Sequence, residues 1–228
     1  RQSFCRTLAA QMVCQTERLM NKLPIQLLAP GRAKPKLNTF IFHRVLPKPD
    51  PIFPDEVDAN RFDQMLGWIT QWFNVLPLDE ALERLKKNTL PPRSAAITFD
   101  DGYEDNFSIA LPLLKKHKVS ATFFIATGFL DGGRMWNDSV IEAIRRTERP
   151  TLDLTSIGLQ VIRVTDIDEK RTAIAKVIGA LKYEQFDTRR TKTDALAELA
   201  GVELPTDLMM NSVQVCEMYA QGMGIGAH

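Results

Sequence analysis

The sequence predicts an α/β fold built on a parallel sheet, and three observations carry that prediction. From residue 37 onward, short strand-like apolar runs alternate with stretches of helical periodicity. The run "SAAITFD" is almost continuously apolar, as expected of a strand buried on both faces of a parallel sheet. His43, Asp100, Asp101 and His228 each follow or end such a run. Both α/β barrels and doubly wound sheets gather function at the carboxyl ends of their strands.

Residues 1–30 place Phe4, Leu8, Met12, Leu19 and Leu23 at about helical spacing, with Arg1, Arg6, Arg18 and Lys22 on other faces. They read as an amphipathic helix packed on the domain. A membrane-surface helix is the alternative, because basic residues there outnumber Glu17. The segment "APGRAKPK" reads as a linker, which divides the chain into an N-terminal unit, 1–36, and a domain, 37–228. In the domain, "LNTFIFHRV" is a strand, and Asp58 caps a helix with Phe62, Met65, Leu66, Ile69 and Phe73 on one face. A short strand "NVLPL" and a helix "EALERLKK" precede the buried strand. After it come a helix through "NFSIALPLLKKH", the strand "VSATFFIAT", a Gly-rich loop "GFLDGGRM", and a helix that Asn137 or Asp138 can cap. Residues 150–165 read as a hairpin, 166–200 as one or two charged helices, and 211–221 as a helix leading into the strand "MGIGAH". The stretch from about 150 to 205 is thus a mainly helical insertion.

The 228 residues are 44% hydrophobic and 25% charged, with a formal net charge of +1, so overall charge gives no argument for a nucleic-acid partner. Cys5, Cys14 and Cys216 are too few and too scattered for a disulfide framework or a zinc knuckle. No run approaches the ~18 apolar residues of a membrane span, and the first thirty residues lack a compact signal-peptide core. The sequence leaves the compartment unknown and favours the cytoplasm, without firm membrane evidence. It opens on Arg1 and stops on His228 inside a strand, so both ends read as cut, and a cut N-terminus would remove any signal peptide.

The chemistry concentrates in "AAITFDDGYEDN", where Asp100 and Asp101 stand side by side after the buried strand. Adjacent carboxylates repel each other unless a cation sits nearby. One of the two can ligate a divalent ion while the other, held off the metal, takes a proton from water. Gly102 lets the backbone turn sharply beside them. The alternative is that Asp100 or Asp101 caps a helix starting near Glu104.

The "ITFDDGY" run after an apolar strand, with "ATFFIATGFL" after a helix, resembles the polysaccharide deacetylase family, carbohydrate esterase family 4, built on the NodB homology domain. "GIGAH" is similar to the strand leading into that family's second motif, a His-Ser/Thr-x-x-His pair, and "FHRVLP" resembles a bacterial branch. The resemblance implies a deformed (β/α) barrel, incomplete in this chain. It also implies Asp100 as general base, with Asp101 and His228 as ligands of a divalent ion, zinc foremost and cobalt, nickel or manganese as alternatives. The second histidine, an orienting arginine and an acid histidine have no counterpart before the chain ends, so the chain alone is expected to be inactive. The implied reaction is removal of N-acetyl groups from a polysaccharide or glycan. The rivals are hydrolysis of another non-peptide C–N bond and a noncatalytic glycan-binding module on the same fold.

Two further residues are read as the edge of the site. His43 ends the first strand, with a buried histidine bonded to a carbonyl as the alternative. Trp136 could offer an indole face to a sugar ring, with anchoring of the following helix as the alternative. His117, among lysines at a helix end, receives no function.

Overall fold

The computed structural model describes residues 35–228; the expected N-terminal helix over 1–30 lies outside them, as do Cys5 and Cys14. In chain order the elements are β1 (Leu37–Phe42), α1 (Ala59–Trp72), β2 (Asn74–Val75), α2 (Leu78–Lys86), β3 (Ser94–Phe99), α3 (Leu111–Lys116) and β4 (Thr122–Ile125). They continue with α4 (Trp136–Arg146), β5 (Thr151–Asp153), β6 (Val161–Arg163), α5 (Ile167–Leu181), α6 (Phe186–Ala200), α7 (Ser212–Ala220) and β7 (Gly224–Ala227).

Among the described residues, five strands form one parallel sheet around β3, whose six residues are all buried. β1 lies along one edge of β3 in register from Leu37↔Ser94 to Phe42↔Phe99. A strand has two edges, so β2 and β4 share the other: β2 takes Ser94 and Ala95, and β4 takes Thr98 and Phe99. β7 then pairs with β4 from Thr122↔Gly224 to Ile125↔Ala227. The predicted α/β class holds, and the open arc of parallel strands is an incomplete barrel wall. Its glycines have a packing reason: a Cβ on Gly226 would stand 2.7 Å from the Phe124 ring, so Gly226 leaves that ring room to lie across β7.

The helix side of the sheet is lined by a row of phenylalanines. Phe42 stacks on Phe99 at 5.4 Å and Phe99 on Phe123 at 4.7 Å, while Phe62 from α1 meets both Phe42 and Phe99 edge-on. Asp58 caps α1 as predicted, its Oδ1 accepting from the amides of Asn60 and Arg61. The stretch "NFSIALPLLKKH" departs from a plain helix: residues Asn106–Ala110 form a π-helical turn before α3 begins. Such turns change the helical register and frequently accompany functional sites.

A second core lies away from the sheet. Val140 and Ile144 of α4 pack with Leu152, Val164, Ile174, Val177, Leu181 and Leu196, so α4 and the expected insertion share one apolar interior. Residues 150–165 form the predicted antiparallel hairpin, and 166–200 resolve into two helices. One expectation is corrected here. α4 begins at Trp136 with Met135 as its N-cap and has no side-chain cap, so neither Asn137 nor Asp138 caps it. Asp138 is buried and bonded elsewhere.

Candidate active site

The carboxyl ends of β1, β3, β4 and β7 form one rim, and backbone hydrogen bonds lock the residues that follow the strands. Asp100 N donates to Phe42 O at 2.9 Å, Ala126 N to Asp101 O at 3.0 Å, and His228 N to Ile125 O at 3.0 Å. Parallel register thus carries Asp100, Asp101 and His228 to one place, although His228 stands far from the aspartates in sequence. Asp101 Oδ1 lies 3.9 Å from His228 Nδ1; the Asp101 side chain is 17% exposed and that of His228 is 48% exposed.

The turn at the aspartates is backbone-strained. Asp101 has φ 75° and Gly102 φ 86°, two consecutive left-handed residues. Only glycine suits the second position, because besides the positive φ a Cβ there would stand 3.1 Å from the Ile125 side chain. A left-handed aspartate costs ~1 kcal/mol or more and persists where its surroundings over-determine it. Segment 208–210 supplies part of that constraint: Met210 N donates to Gly102 O at 3.0 Å and Glu104 N to Leu208 O at 2.8 Å. The Asp100 and Asp101 side chains make no hydrogen bond to the helical turn after them, so the capping alternative is not what this turn does.

Beside the turn lies a cleft of about 370 Å3 whose walls include His43, Arg44, Asp101, Tyr103, Asn137, Asp138 and Arg145. His43 is exposed on the cleft wall rather than buried, and Asn106 Nδ2 donates to its carbonyl at 2.9 Å. Trp136 is half-buried against the second core with the Arg189 guanidinium 4.8 Å from its ring centre; it does not line the cleft, whereas its neighbour Asn137 does. His117 pairs with Asp63 across 2.7 Å on the helix side, outside the lining of this cleft.

Four residues to which the sequence assigned no part in the site organise the cleft. Arg44 Nε donates to Asp105 Oδ2 at 2.8 Å, and Val45 N donates to Asp105 Oδ1 at 3.1 Å. The Arg44 guanidinium lies 4.5 Å from the Tyr103 ring centre, a cation–π contact. Tyr103 Oη donates to Asp138 Oδ2 at 3.1 Å. Burial raises the Asp105 carboxyl against the attraction of Arg44, and it pushes Asp138 up to about 6, with Arg44 again opposing. Burial likewise raises the Tyr103 phenol, so the hydroxyl keeps its proton and donates. Nothing in the sequence marks Asp105 as buried, and it is its burial that makes the cationic partner necessary.

The residues present fit part of a metal site. A carboxylate and an imidazole are zinc donors, and ligands at about 2.0–2.2 Å hold neighbouring donor atoms a little over 3 Å apart, somewhat less than the 3.9 Å between Asp101 Oδ1 and His228 Nδ1. Among the described residues, no group of three or more His, Cys, Asp or Glu stands ready for a metal ion.

Fold and site together define a class: an α/β chain that carries its acidic turn on the strand-end rim of a parallel sheet. Residues 87–149, which include that turn, match the model of the polysaccharide deacetylase family. The chain is 40% identical over 73 residues to a poly-beta-1,6-N-acetyl-D-glucosamine N-deacetylase of Staphylococcus aureus (strain MSSA476), covering 32% of this chain and 25% of that protein. The chain thus spans about a quarter of the curated relatives it matches. Among solved structures it is similar to IcaB from Ammonifex degensii, at 30% identity over 42% of this chain and 40% of the other, with a TM-score of 0.37. It is also similar to a de-N-acetylase from Aggregatibacter actinomycetemcomitans, at 15% identity over 84% and 54% of the two chains, with a TM-score of 0.45. No helix among the described residues is long and apolar enough to cross a membrane.

Proposed function

We propose that this chain carries the carboxylate side of a metal-dependent active centre that removes N-acetyl groups from a polysaccharide or glycan. The observation that carries the reading is the convergence of Asp100, Asp101 and His228 on one rim, within or beside a segment of the polysaccharide deacetylase family. In this reading Asp101 and His228 hold a divalent ion, zinc foremost. When bound, the ion supplies Lewis acidity toward the acetyl carbonyl. Asp100 accepts a proton from the attacking water as its oxygen bonds to the carbonyl carbon; the C–N bond then breaks, the amine nitrogen takes a proton, and acetate leaves. The left-handed turn holds the two carboxylates on a rigid strand end, which keeps base and ligand apart in function although adjacent in sequence. A poly-N-acetylglucosamine is the favoured substrate class, supported by the name of the 40% identical relative.

The test is acetate release from a β-1,6-linked N-acetylglucosamine oligomer by the full-length polypeptide, before and after chelation. Release should stop on chelation and return with zinc. Release that persists without metal contradicts the metal role, and oligomer binding without any release favours a noncatalytic glycan-binding module.

A further inference from the structure

Asp138 is a charged residue whose position calls for an explanation. It sits in the first turn of α4, where a carboxylate ordinarily bonds the free amides or faces water. It is instead 4% exposed and turned into the molecule, where it accepts the Tyr103 hydroxyl at 3.1 and 3.3 Å. Burying a carboxyl that has no ion-pair partner among the described residues is costly, so this hydrogen bond is held at the expense of stability.

Tyr103 is the first residue after the left-handed pair, and it is gripped on three sides. Its backbone pairs with Met209, its ring lies under Arg44, and its hydroxyl ends on Asp138. Each grip comes from a different part of the chain: the loop after β1, the helix α4, and the strap preceding α7. We infer that Asp138 is a positioning residue for the acidic turn, acting through the Tyr103 hydroxyl to fix the rotation of the Asp101–Gly102 backbone. The orientation of Asp101 toward His228 then depends on α4, and through α4 on the helical insertion that shares its core. This rests on the deacetylase reading for its functional consequence, but the mechanical part stands independently of it.

The experiment measures amide hydrogen exchange and deacetylation in the full-length polypeptide for Tyr103→Phe, Asp138→Ala, Asp138→Asn and the double variant Tyr103→Phe/Asp138→Ala. Tyr103→Phe and Asp138→Ala should each speed exchange at the Gly102 and Glu104 amides roughly tenfold, as loss of one hydrogen bond to a charged acceptor allows. Amides of β3 and β4 should be unchanged. The double variant should be no looser than either single one, because both remove the same bond. Asp138→Asn, which keeps an acceptor oxygen, should recover most of the protection. Turnover should fall with exchange while KM stays within about twofold, the mark of lost positioning rather than lost binding. Turn exchange unchanged in Tyr103→Phe, or Asp138→Asn as loose as Asp138→Ala, overturns the inference. If the wild type releases no acetate, the deacetylase reading fails, and the exchange pattern alone still decides the positioning role.

Discussion

Asp138 shows how much of a site can hide in a single side chain. Burial raises its pKa from 3.8 to about 6, with Asp101 and Glu142 adding repulsion and Arg44 and the Tyr103 hydroxyl opposing. The folded chain therefore holds this proton more tightly than the unfolded chain, and the stability so gained is full below about pH 4 and lost as pH rises through 6. Asp138→Asn removes that titration while keeping an acceptor for Tyr103. Relative to wild type, the variant should gain about 2 kcal/mol between pH 4 and pH 7.5, measured by urea unfolding at both values. An unchanged difference between the two proteins would show that the carboxyl titrates normally. Asp100 and Asp101 were legible because two adjacent acids after a buried strand are conspicuous. Asp138 was not, because at a helix start a carboxylate reads as a cap, and its real partner lies on another element.

At the level of elements, alternation of strand and helix was legible through periodicity, and the all-buried pattern of β3 followed from its near-continuous apolar run. The π-helical turn was not legible, since Asn106–Ala110 carries the same apolar spacing as an ordinary helix. Its consequence is to bring Asp105 under Arg44 and Asn106 under the His43 carbonyl. The loop after β1 is tied down a second time by Asp50, whose carboxylate takes bonds of 2.6 and 3.0 Å from Arg145 on α4. Burial alone would raise Asp50, but the Arg145 bonds and the Ile52 amide outweigh it and hold the carboxyl low. Arg145→Met should cost about 1–2 kcal/mol in a denaturant titration, discounted for the partial exposure of the arginine. Arg145→Lys should recover less than half of that, because an ammonium cannot form the fork. A loss below about 0.5 kcal/mol for Arg145→Met would mean that the fork does not anchor this loop.

Among the described residues there are two apolar interiors, the phenylalanine-lined sheet and the helical insertion with α4, and Tyr103 beside the acidic turn reaches α4 through its hydroxyl bond to Asp138. The insertion was legible as charged helices after a hairpin. Its link to the site was not, because that link runs through α4 and through segment 208–210, which reads as featureless loop. The strand-end place of His228 was legible in the sequence, and only the ligand role expected of it came from the family resemblance; geometrically its place depends on β7 pairing in register with β4. In the proposed reading the paired aspartates divide the work, Asp101 as metal ligand and Asp100 as base. Elemental analysis and acetate release on Asp101→Ala and Asp100→Asn in the full-length polypeptide decide between this division and its alternatives. Asp101→Ala should lose its metal and its turnover together, whereas Asp100→Asn should keep stoichiometric metal and lose turnover by roughly a hundredfold or more. Wild-type metal content and wild-type turnover in both variants would contradict the assignment.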